Sequence, residues 1–122
     1  METNEKLVIV TTIGSDHPEK ATLPWVIGVA AQASDVEVVM ILQSDAVVLA
    51  KQGEAEKIVA KGLMPVKELI DSYVEEGGKL LLCSPCLKDR NISSEQLIEG
   101  SVIIAAGTVV TEVLSAKSVL TY

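Results

Sequence analysis

Apolar residues in this chain fall into short unbroken runs, separated by stretches in which they recur every three or four positions. That pattern marks buried strands alternating with helices. Residues 6–11 form the first run, β-branched and closed by Gly14-Ser15-Asp16, and predict a strand that starts a sheet. Between 18 and 33, Leu23, Val26, Ile27, Ala30 and Ala31 repeat at helical spacing, with Pro18 at the start and Asp16 placed to cap it. Residues 36–42 predict a second strand, Gln43-Ser44-Asp45 a polar exit loop, and 46–51 a short helix. Residues 54–60 and 65–75 each carry helical periodicity, the latter opened by Pro65 and stopped by Gly77-Gly78. Leu80-Leu81-Leu82 predicts a third strand and Cys83 onward a short helix to about Asp89, which Asn91 would leave in a left-handed turn. A fourth strand at 102–105, a helix to about Ala116 and a terminal strand at 118–122 complete the pattern.

Strands without polar interruption are buried on both faces, so the expected class is α/β: a mostly parallel five-stranded sheet in three α/β/α layers, joined by right-handed crossovers. The 122 residues suit one domain, 1–122, with no repeat or linker. With one Trp, two Tyr and no Phe, the core must be built from Val, Ile, Leu and Ala, and Trp25, Met40 and Met64 read as packing residues.

Charge narrows the partners. A net charge of −7 and the scarcity of aromatic stacking platforms argue against a nucleic-acid partner. The apolar runs are far too short to cross a bilayer, and Met1-Glu2-Thr3-Asn4-Glu5 does not read as a secretory leader, so a cytoplasmic protein without a membrane partner is expected.

The chemistry concentrates in Cys83-Ser84-Pro85-Cys86, which follows the third strand directly and holds both cysteines of the chain. A thiol at a helix start is expected to ionise below its free value of ~8.5, and Cys86 falls one turn after Cys83, within its reach. In a reducing compartment such a pair reads as catalytic, redox-active or sulfur-carrying rather than a permanent staple. Buried apolar filler is the competing reading of two unpaired cysteines. Zinc would need two further ligands, and the only histidine, His17, lies in a distant loop, so no metal is expected.

Supporting candidates surround the pair. Lys88 and Arg90 would lend positive potential to a thiolate, or else stand as solvated charges paired with Asp89 or Glu95. Ser84 is a turn or cap residue that can donate to a thiolate. The loop carrying Ser15 and His17 should share the carboxyl edge of the sheet with Cys83 and wall its pocket; His17 would be a proton shuttle there, or simply a solvated histidine. Neither G-x-G-x-x-G nor a lysine-bearing phosphate loop is present, and no cofactor is expected.

Together with Leu81-Leu82-Cys83-Ser84-Pro85-Cys86-Leu87-Lys88-Asp89-Arg90, the segments Asp16-His17-Pro18-Glu19-Lys20-Ala21-Thr22-Leu23-Pro24, Gly53-Glu54-Ala55-Glu56-Lys57-Ile58, Ala105-Ala106-Gly107 and Ser118-Val119-Leu120-Thr121-Tyr122 resemble, in order and spacing, the DsrE/TusD-like (DsrE/DsrF-like) sulfur-relay superfamily over nearly the whole chain. The resemblance implies a flavodoxin-like subunit that assembles into homo-oligomers, trimers or hexamers. It also implies a cysteine after the third strand, here Cys83, that takes sulfane sulfur from a donor protein or small thiol as a persulfide and passes it to an acceptor thiol. Cys86 has no counterpart in the best-known relay proteins, although small homologues share the C-x-x-C form, and Asn91 stands where glycine is usual. Cys86 therefore opens an alternative, a dithiol/disulfide oxidoreductase. A non-enzymatic binding or scaffold subunit is a third reading.

Overall fold

The computed structural model describes residues 5–122; residues 1–4, on which the expectation about a leader mostly rests, lie outside the described residues. Five strands, β1 (Lys6–Thr11), β2 (Glu37–Leu42), β3 (Lys79–Cys83), β4 (Ser101–Ile104) and β5 (Ser118–Thr121), pair all-parallel in the order β4-β3-β2-β1-β5. The first three crossovers move one way across the sheet, from β1 to β4, and the fourth returns to the far edge. Right-handed crossovers place connections of opposite direction on opposite faces. Thus α1 (Pro18–Ala33), α2 (Val66–Glu75) and α3 (Ser84–Asp89) pack on one face, against Ile9, Val38, Met40, Leu42, Leu80 and Leu82. Among the described residues, only α4 (Ala106–Ser115) covers the other, over Val8, Val39, Ile41, Leu81 and Ile104. The layering is α/β/α and flavodoxin-like.

Local sequence explains the elements. Val66, Leu69, Ile70 and Tyr73 give α2 one buried stripe at i, i+3, i+4 and i+7. Trp25 of α1 is fully buried and meets Tyr73 edge to face, ring centroids 5.4 Å apart, while the single Tyr73 O–H lies within hydrogen-bond reach of the carbonyls of both Lys79, at 2.6 Å, and Val38, at 3.0 Å. Gly78 must lack a side chain, because a Cβ there would lie 2.3 Å from the Tyr73 ring. Asn91 takes the expected left-handed exit from α3 (φ 55°), and the Ile92 N–H closes back on the Leu87 carbonyl. A half-buried ion pair, Lys6 Nζ to Glu112 Oε1 at 2.6 Å, ties α4 to β1.

Several expectations are corrected. The helix expected at 54–60 shrinks to a 3-10 turn, Ala55–Lys57, because the next residues run extended, Ile58 and Ala60 buried and Val59 exposed. The short helix after β2 is likewise 3-10, Ser44–Ala50. Asp16 does not cap α1; His17 occupies the cap position without a side-chain hydrogen bond. Met40 is core, but Met64 is 55% exposed.

Candidate functional site

Alternation along β3 sends Leu80 and Leu82 to the face of α1–α3 and Leu81 to the face of α4; Cys83, in register with Ile104 at the end of the strand, packs against the α1–α3 core and also borders the start of α4. The chain beyond β3 turns to one face and the chain beyond β4 to the other. Such a divergence between neighbouring strands opens a crevice at their carboxyl ends, where open α/β sheets hold ligands. A cavity of about 250 Å³ lies there, lined by Cys83 and Pro85 on one side and by Ile104, Ala105, Ala106, Val109 and Val110 on the other, with Gln43 as its one polar side chain. A larger open groove of about 630 Å³, between Gln52, Lys67, Asp71 and Glu99, includes neither cysteine.

Cys83 is the cap residue of α3, Ser84 the first helical residue and Pro85 the second, and no side chain caps the helix. One turn on, Cys86 Sγ lies 2.8 Å from Cys83 Sγ, both thiols free and half-buried. The two sulfurs face different surroundings. Cys83 lines the cavity; Cys86 does not, and its Sγ accepts the main-chain N–H of Ser44 at 3.2 Å. Ser44 presents that N–H from a left-handed backbone (φ 53°). Its neighbour Asp45 is held by Arg90, which donates to Asp45 Oδ1 at 2.8 Å and to the Cys86 carbonyl at 3.1 Å. Gly14 of the β1–α1 loop packs so closely on Asp45 that a Cβ would lie 2.8 Å from it.

Electrostatics depart from the expectation of an acidified thiol. Burial pushes the Cys83 thiol up from its ordinary value and the Sγ contact with Cys86 adds to this, while the Cys86 main-chain N–H and the Arg90 guanidinium pull it down. Burial is the largest of these influences and the Arg90 guanidinium the smallest, so the net direction is upward.

The candidates from sequence separate accordingly. Cys83, Ser84 and Cys86 are brought together; Arg90 joins them through Asp45 and the Cys86 carbonyl, and also pairs with Asp89 at 3.8 Å as expected, not with Glu95. Lys88 is exposed, and no hydrogen bond or ion pair among the described residues ties it to the pair. Ser15 lines a separate small cavity with Leu49, Glu54 and Ile58, and neither it nor the exposed His17 walls the cavity at Cys83. The loop meets the site through Gly14, which packs against Asp45. Gln43, Ser44, Asp45 and the first turn of α4 were not singled out from sequence; the signal available was that the exits of β2 and β4 flank that of β3. Among the described residues, no three His, Cys, Asp or Glu side chains are grouped to hold a metal ion, and no helix is long and apolar enough to cross a membrane.

Comparison with known proteins agrees with this architecture. The chain is 29% identical to the uncharacterized protein MK0008 of Methanopyrus kandleri, covering 98% of both chains, and 26% identical to the uncharacterized protein MJ0989 of Methanocaldococcus jannaschii, covering 96% of this chain and 99% of the other. Among solved structures, the YchN protein of E. coli superposes with a TM-score of 0.82 at 25% identity, covering 97% of this chain and 99% of the other. A Methanobacterium thermoautotrophicum protein, MTH1491, shares the fold at a TM-score of 0.74 and 14% identity, covering 98% of this chain and all of that one. Residues 5–122 match the sequence model of the DsrE/DsrF-like family, and the chain belongs to that family.

Proposed function

We propose that this chain is a sulfur carrier in which Cys83 accepts sulfane sulfur as a persulfide and hands it to an acceptor thiol. Family membership points to a sulfur-relay role. The observation that carries the finer reading is that Cys83 lines the cavity at the ends of β3 and β4 while Cys86 does not, with the two Sγ atoms 2.8 Å apart. In the loading step the Cys83 thiolate attacks the outer sulfur of a donor persulfide, forms Cys83-S-SH and releases the donor as a thiolate. The acceptor thiolate repeats the attack on that outer sulfur and frees Cys83. Cys86 limits the life of the persulfide by attacking its inner sulfur, which expels hydrosulfide and closes a disulfide. Free thiols suit a reducing, cytoplasmic compartment, and the donor and acceptor are proteins or small thiols.

The carrier works as a homo-oligomer in this reading. Support comes from the apolar side chains left bare on α4 and the edge strands: Leu114 is 80% exposed, Val110 57% and Val102 52%. A loading assay with a labelled persulfide donor, run on wild type and Cys83→Ser, tests the carrier; label retained only by protein that has Cys83 is expected, and equal labelling of both would refute it.

The 2.8 Å Sγ–Sγ distance also favours a second reading, a dithiol oxidoreductase that cycles through a disulfide. Turnover of a disulfide substrate at a defined reduction potential, without retained sulfur, would favour it.

A further inference from the structure

We propose that the pair also accepts sulfur in its oxidised form: hydrosulfide opens a Cys83–Cys86 disulfide at Cys83, leaving the new sulfur on Cys83 as a persulfide and Cys86 as the departing thiolate. The inference rests on the reading of Cys83 as the sulfane carrier and adds a second substrate, inorganic sulfide, at the same site.

Two features of the site fix the direction of opening, and two more make it feasible. Only Cys83 faces the cavity, so an incoming nucleophile meets that sulfur first. The sulfurs sit 2.8 Å apart, within ~1 Å of the ~2.05 Å bond, so the disulfide closes without unwinding α3. Cys86 Sγ faces the Ser44 N–H, a donor that favours negative charge on the sulfur that leaves. The cavity walls carry no charged side chain, and its ~250 Å³ admit a small diatomic anion with room to spare.

The chemistry balances in two exchanges. A low-molecular-weight disulfide takes two electrons from the paired thiols, closing Cys83–Cys86 and leaving as two thiols. Hydrosulfide then gives its electron pair to Cys83 Sγ, the Cys83–Cys86 bond breaks, and that bond's electrons go to Cys86 Sγ. Sulfide sulfur is raised to the sulfane level while Cys86 is reduced to a thiolate. This is the reverse of the step by which Cys86 expels hydrosulfide, so Ser44 serves both directions as a positioning residue. Its left-handed backbone tolerates glycine and opposes β-branched side chains.

The test oxidises the protein with hydroxyethyl disulfide, removes the reagent, adds sodium sulfide without air, alkylates at intervals and maps the added sulfur by peptide mass spectrometry. The expected product carries the added sulfur on Cys83, with Cys86 alkylated as a plain thiol. Ser44→Gly is expected to open within about twofold of wild type. Ser44→Val, folded by its melting curve, is expected to open about tenfold more slowly, the scale of one lost hydrogen bond to a charged group. Sulfur found on Cys86, an even split, or an untouched disulfide would overturn the proposal, and equal rates in all three proteins would remove Ser44 from it. Reduced protein given a persulfide donor runs in parallel. Loading there with none from sulfide overturns the oxidised route alone, and loading in neither overturns the carrier reading as well.

Discussion

Two cysteines three residues apart have unequal surroundings, and the inequality comes from neighbours distant in sequence. Cys83 is lifted by burial and by its contact with Cys86, so its thiolate is scarce at neutral pH. Its alkylation rate should therefore climb with a midpoint above the free value of ~8.5. Cys86→Ala removes the raising contact and leaves the main-chain N–H in place; a pH series of alkylation should show the Cys83 midpoint falling. An unmoved midpoint would mean that burial alone sets it. Stability follows the same shift. Above ~8.5 the unfolded chain releases the Cys83 proton while the folded chain still holds it, so folding stability contributed by the neutral thiol is full below that pH and is lost as pH rises through the folded midpoint. Denaturant midpoints of wild type and Cys83→Ser should converge across that window.

At the scale of elements, the site is a meeting of three strand exits, and one cross-chain tie holds two of them in register. Arg90 joins the end of α3 to Asp45 after β2 and also bonds the Cys86 carbonyl. Asp45→Ala should leave stability nearly unchanged, as the pair is solvent-exposed, yet speed Cys86 alkylation because the Ser44 N–H is no longer held against its sulfur. A larger loss is expected at Gly78→Ala, where the added methyl collides with the Tyr73 ring whose hydroxyl reaches both β2 and β3; about 1–3 kcal/mol should appear in denaturant unfolding. Gly107→Ala, which meets nothing within 4 Å, is the control and should be neutral. The strands, α1, α2 and the thiol helix were legible because apolar runs and 3.6-residue spacing are local signals. The roles of Gln43, Ser44 and Asp45 were not, because a polar exit loop acquires chemistry only when the strand order places it beside Cys83. The same limit applies to Ser15 and His17: the end of β1 was readable, but β2 separates it from β3, and the link to the site runs through Gly14 against Asp45 and the Thr11 carbonyl bonded by the Gln43 N–H.

For the whole molecule, the uneven covering of the sheet sets the outer surface. Three helices and two 3-10 turns bury one face, whereas among the described residues α4 alone crosses the other and leaves Val110 and Leu114 bare beside the edge strands. An α/β layering was evident from the alternation of runs, but the sparse second face was not, since it follows from the single return crossover between β4 and β5. If that face joins copies of the chain, Leu114→Glu should shift sedimentation toward the monomer mass with little loss of secondary structure, because the side chain makes few contacts within its own fold. An unchanged mass would place the oligomer contact elsewhere. The central claim concerns where sulfur rests. Peptide mass spectrometry of the reduced protein after treatment with a sulfane-sulfur donor tests it most directly: one added sulfur on Cys83, longer-lived in Cys86→Ser, is predicted, and a Cys83–Cys86 disulfide alone or sulfur confined to Cys86 would contradict it.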